Sequence, residues 1–140
     1  MIYLACPFSH PDPAVREARF QAACRAAADL LLAGEVAFAP VVYGHPLVAL
    51  GVPGDWPFWS RLDRAMIERC DEVHVLALPG WDTSVGVRQE VLFARSFGKP
   101  VKFVMPAKAT IAVATPGTAT VLPTLAPVAA IGEAAGSTTP

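Results

Sequence analysis

Short apolar runs alternate along the chain with longer stretches in which apolar positions recur every three or four residues. Ile2–Cys6 reads as a buried strand from its β-branched and apolar content. Asp12-Pro13 then supplies an N-cap and a first-turn proline for a helix running to about Ala33 and closed by Gly34. Val36–Ala39, Glu72–Leu78 and Val101–Val104 read as the second, third and fourth strands. Asp55 caps a helix from about Trp56 to Arg69, and a further helix opens after Ser84. Between the second strand and Asp55 lies VVYGHPLVALGVPGD, rich in turn formers and longer than a compact domain needs, which reads as a loop serving as a lid. Continuous apolar strands alternating with helices predict a parallel sheet covered on both faces. The expected fold is therefore a doubly wound α/β three-layer sandwich, of the Rossmann or flavodoxin kind, with four to five strands. Its domain spans residues 1–105; residues 106–140 form an Ala/Thr/Pro-rich segment, read as a short fifth strand and helix before a loose tail, or as largely disordered.

Two helices break their own pattern. After Ser84, Val87, Val91, Phe93, Ala94 and Phe97 share one arc, with Arg88, Gln89, Arg95 and Ser96 opposite, yet Glu90 falls inside the apolar arc. In FWSRLDRAMIERC, the arc of Trp59, Leu62, Met66, Ile67 and Cys70 likewise contains Asp63. An uncompensated buried carboxylate costs about several kcal/mol, so it is paired, protonated or functional. One such acid has a bland explanation in an ion pair or cap; two on the inward faces of successive helices point to a site. Tyr3, on the first strand, is a candidate hydrogen-bonding partner.

Composition narrows the chemistry. At 140 residues, 54% hydrophobic and 16% charged, the chain suits one domain with ample core. A net charge of −1 gives no electrostatic case for nucleic acid or an anionic membrane, although a small anionic ligand needs only local donors. Cys6, Cys24 and Cys70 are odd in number and sit in apolar contexts, as free thiols in a reducing compartment do. The opening MIYLACP has neither the basic flank nor the apolar length of a signal peptide, and proline, glycine or charge interrupts every apolar run. A cytoplasmic location is expected. His10, His45 and His74 lack ligand spacing, so no metal is expected.

The start of the last helix adds an anion site. T-S-V-G-V places Ser84 at the cap, and Gly86 allows close approach to backbone N–H groups at the positive end of the helix dipole. Serine caps helices without binding anything, but Glu90 lies about a turn and a half further in. Together they would grip two ends of a sugar phosphate.

These residues resemble a known group. I-Y-L at the start, Asp63 ahead of Asp71, and S-V-G-V-R-Q-E before GKP resemble the nucleoside 2-deoxyribosyltransferase superfamily, which includes nucleoside 5′-monophosphate N-glycosidases. ACPFSHPDPAVREARF, YGHPL, GDWPFW and RCDEVHVLALPGW resemble more closely a bacterial family placed beside those enzymes. The resemblance covers about residues 1–105. It implies that Glu90 is a nucleophile attacking the anomeric carbon, that Asp63 protonates the departing base, and that Tyr3 orients Glu90. It also implies a homodimer or larger assembly, completed by a neighbour's C-terminal region, and no cofactor. Serine rather than aspartate at position 84 resembles the monophosphate hydrolases and leans toward a nucleoside 5′-monophosphate. Arg88, where relatives often carry glycine, departs from the pattern. Arg16 and Arg19 are candidate phosphate contacts, His45 and Trp81 candidate contacts to sugar or base, and Trp56, Trp59 and Asp82 weaker candidates. The expected function is N-glycosidic cleavage of a nucleoside or its 5′-monophosphate; base exchange by a transferase and a non-catalytic nucleotide sensor are the alternatives.

Overall fold

The computed structural model describes residues 1–106. In chain order its elements are β1 (Ile2–Ala5), α1 (Pro13–Leu32), β2 (Ala37–Phe38), α2 (Pro40–Val48), α3 (Trp56–Arg69), β3 (Glu72–Leu76), α4 (Val85–Ser96) and β4 (Val101–Val104). All pairings are parallel and the strand order is β2-β1-β3-β4. The expectations for the C-terminal segment, a fifth strand included, fall from residue 107 onward outside the described residues.

Strand periodicity divides the core into two layers. Tyr3 and Ala5 of β1, with Val73 and Val75 of β3, pack against Ile67 of α3 and against Val87 and Ala94 of α4. Leu4, Cys6, Leu76 and Leu78 point to the other face, against Ala23 and its neighbours on α1. Helices on both sides of a parallel sheet make the three-layer α/β sandwich expected from the sequence. Register sets Tyr3 beside Val73 and Phe38, and Leu4 beside His74. On the sheet, His74 Nε2 meets Glu72 at 2.7 Å while its Nδ1 has no partner among the described residues, and Glu72 also pairs with Lys102 of the edge strand. No helix among the described residues is long and apolar enough to cross a membrane.

The expected helix starts are present. Asp12 accepts from the Ala14 N–H at 2.8 Å, Asp55 from Phe58 at 3.1 Å and Ser84 from Val87 at 3.4 Å. Gly34 takes φ of 84° just past α1, a conformation that disfavours any residue with a Cβ.

The stretch read as a loop and lid is corrected in its first half. Pro40–Val48 is a helix, entered through a first-turn proline, although Pro46 lies inside it. Proline there removes one N–H late in a short helix, where only one intrahelical bond is lost. Gly44 fits because a Cβ would come within 3.1 Å of the Trp59 ring.

Candidate functional site

In an open parallel sheet, ligands bind beyond the carboxyl ends of the strands, where successive connections leave on opposite faces. Here that point lies between β1 and β3: α1 leaves β1 toward one face, while α4 leaves β3 toward the other. A cavity of about 380 Å³ opens at this place. Its walls are the segments after β1 and β3, the inner side of α2, and the first turns of α3 and α4.

Asp63 and Glu90 form its polar end. Helical spacing turns both carboxylates toward the sheet, as expected, and they are 3% and 5% exposed. Tyr3, fully buried behind them, donates its hydroxyl to Glu90 Oε1 at 2.8 Å. Glu90 Oε2 and Asp63 Oδ1 have no partner among the described residues. Burial raises both acids, Glu90 to about 8 and Asp63 to about 6. The charge of Asp63 raises Glu90 further, while the Tyr3 hydroxyl pulls both down. Burial and the neighbouring carboxylates hold Tyr3 itself protonated, so it serves only as a donor. Two interacting acids titrate as a pair, and near neutral pH this pair carries about one proton.

The other end of the cavity is the α4 N-terminus, where Thr83, Ser84, Val85 and Gly86 line the wall. Ser84 bonds Val87, and Arg88 bonds the Ser84 carbonyl, so the N–H groups of Val85 and Gly86 find no acceptor among the described residues. A Cβ at Gly86 would meet the Trp56 ring at 3.6 Å and the Ser84 Oγ at 4.0 Å, both ordinary contacts. Its glycine is therefore not demanded by packing. Arg88, the departure from the family pattern, faces solvent away from this wall.

Arg19 lies at the cavity but differs from its expected role. Its Nη1 donates to the Ser9 carbonyl at 2.9 Å, and Nη2 to the Pro79 carbonyl at 2.8 Å. Carbonyls are neutral, and no carboxylate among the described residues pairs with this guanidinium. Its charge thus remains at the cavity wall, with three of its five N–H groups engaged by backbone carbonyls. Arg16 is likewise occupied, bonding the carbonyls of His10 and Pro11. His45 does line the cavity, its ring tilted against Phe20 with centroids 4.2 Å apart and its Nε2 3.6 Å from the Glu17 carboxylate.

Trp81, a candidate contact, stands away from the cavity. It packs into the core 4.8 Å from Phe103 and takes no part in the cavity wall. Trp56 and Trp59 stand there instead, one turn apart on α3 and in line with Asp63. Asp82 is exposed and takes no part in the wall, and Asp71 pairs with the Met1 amine. Of the α2 residues that line the wall, sequence reasoning singled out His45 and missed Val41, Gly44 and Val48. The helical spacing of positions 41, 44, 45 and 48, which share one face, was the available signal. Among the described residues no three His, Cys, Asp or Glu side chains gather as metal ligands.

A family model described as a domain of unknown function (DUF1937) matches residues 1–106. No curated protein matches the chain.

Proposed function

The chain belongs to the DUF1937 family over residues 1–106, whose description assigns no chemistry, and we propose from the site itself that it cleaves the N-glycosidic bond of a nucleoside or its 5′-monophosphate. The observation that carries this reading is the pair of unpartnered carboxylate oxygens, Glu90 Oε2 and Asp63 Oδ1, buried at one cavity with Tyr3 bonded to the far oxygen of Glu90. The sequence resemblance to nucleoside deoxyribosyltransferases supports the same assignment.

Cleavage of this bond passes through an oxocarbenium-like state. Tyr3 holds Oε1, which leaves Oε2 to attack the anomeric carbon and form a glycosyl ester. The bond to the base breaks, and its electron pair leaves with the base, which takes a proton from Asp63. Water then attacks the ester, with Asp63 accepting the proton and Glu90 regenerated. The chemistry needs Glu90 ionised and Asp63 protonated, one proton for the pair, which is its state near neutral pH. In the empty site that proton favours Glu90. A developing positive charge at the anomeric carbon beside Oε2 favours its transfer to Asp63. A 5′-phosphate would sit at the α4 N-terminus, against the N–H groups of Val85 and Gly86.

Incubating the protein with a panel of nucleosides and 5′-monophosphates, and following free base by chromatography, tests the proposal. Release of base is expected, and addition of a second free base separates hydrolysis from exchange. Binding across the panel without release would make the domain a nucleotide sensor instead.

A further inference from the structure

We propose that Arg19 is a positioning residue, a strut that fixes the cavity mouth by tying the segment after β1 to the segment after β3. The two segments are remote in the chain, yet one guanidinium bonds both: Nη1 to the Ser9 carbonyl at 2.9 Å and Nη2 to the Pro79 carbonyl at 2.8 Å. The planar fork of arginine suits this use, because its donors diverge in fixed directions from one rigid group. The turn on the far side is shaped to match. Gly80 takes φ of 85°, and a Cβ there would lie 3.0 Å from Arg19 Nη2.

The strut spans the point at which the connections of β1 and β3 part. Ser9 and Gly80 both line the cavity, as does Arg19 between them. Its length therefore sets how far apart the two walls stand, and with them the approach to Thr83 and Ser84. A direct phosphate ligand would present free donors to the cavity. This guanidinium commits three of its five N–H groups to backbone carbonyls on both sides of the mouth, which holds it in place, and it acts on a substrate through the walls.

Only the activity arm of the test rests on the glycosidase reading. Amide exchange by mass spectrometry, on the full chain without ligand, compares wild type with Arg19→Gln, Arg19→Lys and Gly80→Ala. Arg19→Gln is expected to speed exchange several-fold in segments 8–12 and 78–84 alone, with Arg19→Lys intermediate because an ammonium reaches fewer acceptors. Gly80→Ala, which crowds Nη2 and is strained at φ of 85°, is expected to speed exchange in the same two segments. With substrate, kcat/KM falls by the same factor for a nucleoside and its monophosphate. Unchanged exchange in the two segments, or acceleration throughout the domain with a lowered Tm, overturns the strut. A loss confined to the monophosphate overturns it too, by making Arg19 a phosphate ligand. Should wild type release no base at all, the glycosidase reading fails while the exchange data still decide the strut.

Discussion

Glu90 and Asp63 carry opposite demands in one small volume. Glu90→Gln removes the nucleophile but keeps shape and the Tyr3 contact, so base release should vanish while the circular dichroism spectrum stays unchanged. Asp63→Asn should slow poor leaving groups most. Near wild-type turnover by purified Glu90→Gln would exclude the nucleophilic role. The proton count of the pair gives a second test. Activity requires one proton, so kcat/KM should fall below about pH 6, where both acids are protonated, and above about pH 8, where both are ionised. Tyr3→Phe removes a donor that lowers both acids, and should move both limbs to higher pH. Stability follows the same groups. Glu90 is raised in the fold, so below its ordinary value of 4.5 neither state is ionised and nothing is lost. As pH rises toward about 8 the unfolded chain ionises first, and the fold loses stability. Between pH 4 and pH 9 the stability of Glu90→Gln relative to wild type should therefore rise by something on the order of 5 kcal/mol, at 1.36 kcal/mol per tenfold, read from denaturant midpoints at the two pH values. Equal midpoint differences at the two pH values would contradict the raised carboxylate.

Helix ends and helix contacts carry the next pair of expectations. If the α4 N-terminus holds a 5′-phosphate, Ser84→Ala removes a neutral donor to an anion. The loss should be about 1.5–3 kcal/mol, roughly ten- to a hundredfold in kcat/KM, for the monophosphate alone. Ser84→Asp should harm the monophosphate further and spare the nucleoside. Ser84 as a mere cap predicts about 1 kcal/mol of stability lost and equal effects on both substrates. The contact of α2 with α3 is tested at Gly44. Alanine improves helix propensity by about 1 kcal/mol, whereas overpacking costs about 1–3 kcal/mol. Which term wins depends on whether Trp59 can yield. Its indole N–H is tied to the Pro53 carbonyl at 2.7 Å, and its ring is wedged against Phe58 at 5.3 Å. Overpacking should win, so Gly44→Ala should lower Tm and weaken ligand binding together. A raised Tm would show that Trp59 moves freely.

The whole domain shows which parts of its organisation are local. Capped helices, buried strands and the inward placement of Glu90 and Asp63 follow from spacing within single elements, and all were legible in the sequence. The helix α2 was not, because Gly44 and Pro46 read as turn formers until Trp59 and the cavity are there to pack against. Arg19 and Trp81 escaped for a related reason. A long side chain goes where the fold supplies acceptors or apolar walls, and Pro79 and Phe103 reach them only through the sheet. Assembly belongs to this scale as well. Tyr43, Leu50 and Phe58 are 53%, 82% and 48% exposed around the α2–α3 connection, an apolar surface suited to a second copy. Light scattering should give a dimer or larger. A fully active monomer at the same concentration would remove that expectation.

The strand order has a further consequence during synthesis. β1 lies inside the sheet, between β2 and β3. Its first neighbour is only two residues long, and the second is made some seventy residues after it. At about 5–20 residues per second, the ribosome leaves Ile2–Ala5 without that partner for roughly 4–14 s. Throughout that interval a strand buried on both faces in the finished domain presents an open, apolar edge. The nascent chain therefore passes through a stage exposed to self-association, ended only when β3 emerges and closes the edge.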